Sequence, residues 1–245
     1  MAEGAVKSAR RAFEILEAFN RRRRPLALKE LLDELDYPAS SGSALMKSLV
    51  ALGYLDYDGE RRTYFPTMRI AALGSWVPGV LFGDGRLLPA LEELHRETGE
   101  TVILAVQSDL HAQYIHVLPS SEPLLLRVPP GTRRPLAQSG LGLVLLSAKR
   151  DPEIERLRRR INAAAAEADL TREDLTARVN EVRTRGYAFS RHAISPGVGI
   201  IGAALPNGPF GRVFAVGVAG QVARLERKEE EIVAALNAML WRLAE

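Results

Sequence analysis

The 245-residue chain contains no cysteine. That absence removes disulfides, thiolate zinc sites, iron–sulfur clusters and cysteine nucleophiles at once. Histidine is scarce, so metal binding or acid–base chemistry has only His95, His111, His116 and His192 to draw on besides the carboxylates. His111 and His116 are five apart, a spacing that sends side chains to opposite faces of a continuous strand and argues against zinc. The GxSxG turn of a serine hydrolase is missing, and Gln138-Ser139-Gly140, the nearest approach to it, reads more simply as a helix cap. Gly197, Gly199 and Gly202 do spell GxGxxG, but a β-type run rather than a helix follows and no carboxylate stands near Gly220 and Gln221. These glycines are therefore expected to thin a strand for close packing, not to bind a dinucleotide. No apolar run approaches the roughly 20 residues of a membrane helix. The basic amino end has no secretory apolar core, so a cytoplasmic location is expected. No catalytic residue, cofactor or metal is assigned, and the chain is read as a non-enzyme.

What is present is ordinary globular composition, 47% hydrophobic and 26% charged, enough for a real core. The length suits two domains. The net charge of +3 is too small to prove a nucleic-acid partner, and its distribution says more. Residues 1–24 hold seven Lys/Arg against Glu3, Glu14 and Glu17, a local excess of four positive charges. Arg21 to Arg24 alone read as a solvated turn between helices.

Ala9, Ala12, Phe13, Leu16 and Phe19 recur at helical spacing, with Ser8 as the expected cap. Leu28, Leu31, Leu32 and Leu35 repeat the pattern until Asp36-Tyr37-Pro38 breaks it. A third helix is expected from Ser40 or Ser41, with Ala44, Leu45, Leu49 and Leu52 as its apolar face and Gly53 past its end. The period then changes. Tyr54 to Tyr57 and Thr63 to Phe65 are β-rich, and Asp58-Gly59 signals a hairpin whose turn carries Arg61 and Arg62. Three helices followed by a basic-tipped hairpin is the order of a winged helix-turn-helix that reads DNA with its third helix. The same order also suits a module for protein contacts.

Thr67 is placed to cap a helix carrying Ile70, Leu73 and Val77, which Pro78-Gly79 and Gly83-Asp84-Gly85 interrupt as a linker. Trp76 near its end is a candidate dimer contact or simply packed. Beyond it a mixed domain is expected. A helix carries Leu87, Leu91 and Leu94, two strands run over 101–107 and 112–118, and a proline-framed loop leads into a short buried helix over 140–148. Gly140 and Gly142 at that helix start either let a ligand approach the backbone or let helices pack closely. Charged helices over 151–165 and 171–185 follow, then strands over 187–194, 198–206 and 210–219 with a turn at Asn207-Gly208. That makes a sheet of about five strands, with a terminal helix bearing Leu225, Ile232, Leu236, Met239 and Leu243.

The ordered set of features resembles the IclR family of transcriptional regulators. It comprises Leu28 to Leu35, Leu49 to Leu55, the wing, Pro66-Thr67-Met68-Arg69, Ala72-Leu73-Gly74, Ser139-Gly140-Leu141-Gly142 within Pro135 to Ser147, and Arg185-Gly186-Tyr187. The resemblance runs from about residue 6 to 243. It implies an α+β chain with three parts: a winged helix-turn-helix over 1–66, a dimerising linker helix over 67–84, and a GAF-like mixed α/β effector-binding domain over 85–245. The implied partners are operator DNA, a small-molecule effector and a second copy of the chain, as a homodimer or homotetramer.

Carried onto this sequence, the recognition helix is Ser41 to Leu52, with Ser40, Ser41, Ser43 and Lys47 as DNA-contact candidates beside Arg61 and Arg62 of the wing. Ala44 stands where many members carry arginine, which shifts the expected share of contacts toward the wing and the backbone. The effector candidates are the backbone of Gly140 and Leu141 with Ser190, Ile200, Gly217 and Ala219. Only Ser190 among the latter four has a hydrogen-bonding side chain, so a larger, apolar or aromatic effector is expected, with His192 or Arg127 as possible sources of polarity. The alternative is a GAF-like sensor or scaffold that has lost sequence-specific DNA binding.

Overall fold

The structure, a computed structural model, describes residues 6–82, 85–120, 128–164, 170–205 and 211–244. Gly83-Asp84 of the expected linker, Arg127 and the Asn207-Gly208 turn lie outside the described residues. The chain divides into two compact units, Met1–Gly79 and Val80–Glu245.

The first unit runs α1 (Lys7–Arg22), β1 (Leu26–Ala27), α2 (Leu28–Leu35), α3 (Ala39–Ala51), β2 (Leu55–Asp58), β3 (Thr63–Pro66) and α4 (Met68–Gly74). Its core gathers Ile15, Ala18 and Phe19 of α1 with Leu26, Leu31, Met46, Leu49 and Leu55. Phe13 is not part of it, being 68% exposed. At 100° per residue it lies about 200° round the helix from Ile15, so the apolar count misassigned its side. Ser8 is not the cap either, because α1 starts at Lys7 and Val6 at the N-cap makes no side-chain bond. The third helix likewise starts earlier than expected, at Ala39 with Pro38 as N-cap. Proline presets its own φ, here −57°, which lets a helix begin directly behind it. The buried face of α3 is Gly42, Met46 and Leu49, so Ala44 and Leu52 point to solvent. Gly42 sets the approach of α2, since a Cβ there would lie 2.0 Å from Leu32 Cδ2.

Three of the four exposed arginines at the end of α1 are paired. Arg21 and Arg22 each reach Glu34 at 2.9 Å, and Arg24 pairs with Glu30, whose carboxylate also accepts from Ala27 N at 3.3 Å. Arg23 takes the left-handed conformation that ends the helix. Strand β1, which the sequence did not suggest, pairs antiparallel with β3 so that the sheet order is β1-β3-β2.

Thr67 caps α4 as expected, its Oγ1 accepting from Arg69 N at 3.2 Å and donating to Gly53 O at 2.6 Å. Pro78 does not end that helix. The break falls at Ser75-Trp76, and Pro78 sits in the first turn of a second short helix, α5 (Val77–Phe82), where a missing N–H costs nothing.

The second unit continues α6 (Leu87–Thr98), β4 (Thr101–Ser108), β5 (His111–Leu118), β6 (Arg133–Pro135), α7 (Gly140–Ser147), α8 (Asp151–Ala164), α9 (Arg172–Arg185), β7 (Ala188–Arg191), β8 (Val198–Ala204), β9 (Phe214–Gln221), α10 (Val222–Arg227) and α11 (Glu229–Ala244). Six strands, one more than expected, form an antiparallel sheet in the order β6-β5-β4-β9-β8-β7. The period-2 alternation of strands sends each one into two cores. Ile103 and Ala105 face α7, α8 and α9, whereas Val102 and Leu104 face α6, α10 and α11. The expected terminal helix is two helices, parted at Lys228, whose N–H falls back on Arg224 O and Leu225 O. Its apolar set is nevertheless in the core, with Leu225, Ile232, Leu236 and Met239 all buried.

Candidate functional sites

On the first unit, α3 presents Ser40, Ala44, Lys47, Ser48 and Ala51 to solvent, one turn above another, with Ser43 half-buried at the edge. Lys47 is the one cation on this helix, so the face is small and flat enough to enter a major groove closely while offering little charge. Ser41 is committed elsewhere. Its Oγ accepts from Arg11 Nη1 at 3.1 Å and donates to Pro38 O at 3.2 Å. Arg11 also stacks 4.6 Å over the Tyr37 ring. Burial and the neighbouring Glu14 carboxylate, which accepts the phenol proton, push the Tyr37 hydroxyl up to about 12. Ser41 thus helps fix α3 against α1 through Arg11, a role that sequence spacing does not reveal.

The wing is built by Asp58. Its Oδ1 accepts from the backbone N–H groups of Glu60 and Arg61 at 2.9 and 3.0 Å. The Arg61 N–H in particular holds the Asp58 carboxyl below its ordinary range, with that of Glu60 adding to it. The turn therefore stays closed at neutral pH and displays Arg61, whose one ion-pair contact among the described residues is Asp58 at 3.7 Å, and Arg62, in a left-handed conformation at φ 52°. Both are exposed.

On the second unit, a cleft enclosing about 430 Å³, part of it open to solvent, lies at the start of α7 on the α7–α9 side of the sheet. It brings together Gly140, Ser190, Ile200 and Ala219 of the six effector candidates. Leu141 and Gly217 are not on its wall. They form the packing beneath, where a Cβ on Gly217 would come within 2.7 Å of Leu141 Cδ2. A Cβ on Gly140 would strike Ile200 Cγ2 at 2.7 Å and Ser190 Cβ at 2.8 Å, so close packing requires this glycine even though it lines the cleft. The glycines of the GxGxxG string behave as expected of a thinned strand: Gly202 leaves room for Leu141 Cδ2, and Gly199 for Ser190 O and Leu225.

Ser139 is the α7 cap, its Oγ accepting from Gly142 N at 3.2 Å while wholly buried. His192 lies outside the cleft lining: exposed, with φ 56°, it closes the β7–β8 connection by accepting from Gly197 N at 3.0 Å through Nδ1. The polar groups that the sequence reading missed are Tyr114, Arg134 and Ser195. Arg134 belongs to the three-residue strand β6, too short and too proline-flanked to register as a strand. Among the described residues no group of three or more His, Asp or Glu is placed to hold a metal ion, and no helix is long and apolar enough to cross a membrane.

A winged helix-turn-helix unit followed by a mixed α/β unit is the architecture of a two-domain transcriptional regulator. Comparison with known proteins narrows this. Residues 8–59 match the IclR helix-turn-helix domain, and residues 86–242 match the bacterial transcriptional regulator IclR C-terminal domain. The HTH-type transcriptional regulator TsaQ1/TsaQ2 of Comamonas testosteroni is 30% identical over 214 residues, covering 85% of this chain and 75% of the relative. The effector domain of an IclR regulator from Acinetobacter sp. ADP1 superposes with a TM-score of 0.62 at 30% identity, over 68% of this chain and 98% of that one. The Thermotoga maritima IclR structure shares the whole fold, with a TM-score of 0.74 at 19% identity over 96% of each chain. The chain belongs to the IclR family of bacterial transcriptional regulators. It is a regulator with a DNA-binding helix-turn-helix domain, and its relatives are regulators rather than enzymes.

Proposed function

We propose that this protein is a ligand-responsive regulator in which a small organic effector, aromatic or otherwise largely apolar, occupies the α7 cleft and changes the affinity of the winged helix for operator DNA. The observation that carries this reading is the cleft itself. Ile103, Val128, Ile194, Val198, Ile200 and Ala219 line it beside the polar Tyr114, Arg134, Ser139, Ser190 and Ser195, it converges on one buried helix start, and it lies in the unit that carries no DNA-contact candidate. Apolar walls with a few placed polar groups are the usual character of a small-molecule site. DNA contact is assigned to Ser40, Ser43 and Lys47 on α3 and to Arg61 and Arg62 on the wing. Self-association is assigned to the α4 region, where Met68, Leu73 and Trp76 are exposed, Trp76 by 62%. A dimer or tetramer in the cytoplasm is the working form.

The test is fluorescence anisotropy on DNA flanking the protein's own gene against a scrambled duplex, across a salt series. The expected result is discrimination of roughly a thousandfold or more for the flanking DNA. Equal, weak and steeply salt-dependent binding to both duplexes would instead favour a sensor that has lost operator recognition, a reading that the solvent-facing Ala44 supports.

A further inference from the structure

Helix α1 carries basic residues at both ends, and the fold treats the two ends differently. At the C-terminal end Arg21 and Arg22 pair with Glu34, and Arg24 beyond it pairs with Glu30. At the N-terminal end Lys7 and Arg10 are exposed, and among the described residues neither side chain forms an ion pair or a hydrogen bond. Glu14, the carboxylate one turn beyond Arg10, is taken by the Tyr37 hydroxyl. Lys7, Arg10 and Arg11 stand three and four positions apart, so these cations are neighbours on the helix surface and repel one another. They also oppose the helix dipole, which favours acidic residues in a first turn, and the first turn of α1 has none. The arrangement is locally unfavourable, which marks a position kept for something other than helix stability.

This end of α1 is fixed beside the recognition helix. Arg11 sends Nη1 to Ser41 Oγ at 3.1 Å and lies 4.6 Å over the Tyr37 ring, in the turn between α2 and α3. Burial raises the Tyr37 hydroxyl, and the charges of Arg11 and then Arg10 oppose that rise, so Arg10 too stands near this turn. The other end of α1 leads to the wing, because Leu26 and Ala27 pair with Tyr64 and Thr63 of β3. With 16 residues in α1, Lys7 lies about 24 Å along the helix from that junction. This distance exceeds the roughly 12 Å width of a major groove.

We infer that Lys7 and Arg10 form a DNA contact of their own, gripping backbone phosphates beside the start of α3 while the wing grips the backbone elsewhere. The inference rests on the assignment of α3 and the wing to DNA and adds a surface to it. Phosphates supply the counter-charge that the fold withholds from Lys7 and Arg10 and provides for Arg21, Arg22 and Arg24. Backbone contacts fix the register of a recognition helix without reading bases, and α3, with Lys47 as its one cation, has little charge of its own for that task.

Anisotropy of the full-length protein on the flanking and scrambled duplexes, across a salt series, tests this with Lys7→Ala, Arg10→Ala and the double variant. Each single variant is expected to lower the salt slope by about 0.9 and the double by about 1.8. Affinity near 0.1 M salt should fall roughly three- to tenfold per cation, by the same factor on both duplexes. Arg21→Gln is the control, since it removes a positive charge about 21 Å further along the same helix and should leave the slope unchanged. Thermal melting followed by circular dichroism separates contact from structure: the Lys7 and Arg10 variants should melt no lower than the natural protein, because losing a cation from the start of a helix relieves the dipole. Unchanged slopes in these variants would overturn the proposal and leave the α3 and wing contacts standing. An equal drop in Arg21→Gln would overturn it as well, since net charge alone would then explain the effect. A natural protein that binds neither duplex would remove the α1, α3 and wing contacts together.

Discussion

At the scale of single residues, several positions are set by what touches them and not by their chemistry. A Cβ on Gly142 would sit 2.0 Å from the Leu136 carbonyl oxygen and 2.7 Å from its carbon. Neither backbone atom can yield, so Gly142→Ala should destabilise the second unit by about 1–3 kcal/mol, the range of overpacked cores. Urea unfolding followed by tryptophan fluorescence and circular dichroism measures it. Gly59→Ala serves as the control, since nothing lies within 4 Å of that position. An equal effect at both glycines would contradict the packing account. Glu155 offers a second residue-scale test. Arg158 first, then Arg159, donate to its carboxylate and pull it down from 4.5 to about 2. Its charge therefore stabilises the native state fully above pH 4.5, and that contribution is lost as the pH falls toward 2. Arg158→Gln should move the Glu155 titration upward toward the ordinary carboxylate range in a carbon-13 NMR titration. An unmoved midpoint would show that Arg158 is not the cause.

At the scale of elements, the wing and α3 hold unequal shares of the cations on the proposed DNA-contact surface. The α3 face is one lysine among serines and alanines, while the wing holds two exposed arginines on a turn closed by Asp58. Replacing Lys47, Arg61 or Arg62 singly by alanine should weaken DNA binding and reduce the salt slope by roughly 0.9 per cation removed. The two arginines should act alike on all duplexes, as phosphate contacts do. Anisotropy at several salt concentrations separates these outcomes, and an unchanged slope in all three variants would remove the assigned contacts. Legibility in the sequence also differed by element. Helices α2 and α6 were readable from their apolar period, α9 from its charge pattern, and β4 and β5 from their β-type runs, whereas the last strand was expected over 210–219 and runs over Phe214–Gln221. Strand β1 is two residues long and β6 three, too short to show any period, and each exists only because a neighbouring strand supplies partners. The break between α10 and α11 was hidden for the opposite reason, since Lys228 interrupts the backbone without interrupting the apolar repeat.

At the scale of the whole molecule, regulation requires two sites whose occupancies are coupled. If a cleft ligand changes operator affinity by some factor, operator DNA must change the ligand's affinity by the same factor, because linkage between binding equilibria is reciprocal. Coupling of this kind is typically about 5- to 150-fold, and calorimetry with and without saturating operator measures it against the anisotropy shift. A factor of one in both experiments would remove the regulatory coupling, and unequal apparent factors would show that a change of assembly enters one of the two measurements. The sequence by itself determined the order of the elements, the absence of thiol chemistry, the change of period at Gly53 and the family, because these depend on composition and on local spacing along one chain. Only the tertiary structure decided that Ser41 serves Arg11 rather than an open surface, that Leu141 and Gly217 lie behind the cleft wall, and that Arg134 stands beside Tyr114. Each of these is a contact between residues at least 20 positions apart or on different strands, and which faces meet is fixed by strand register and close packing, quantities that no single segment contains.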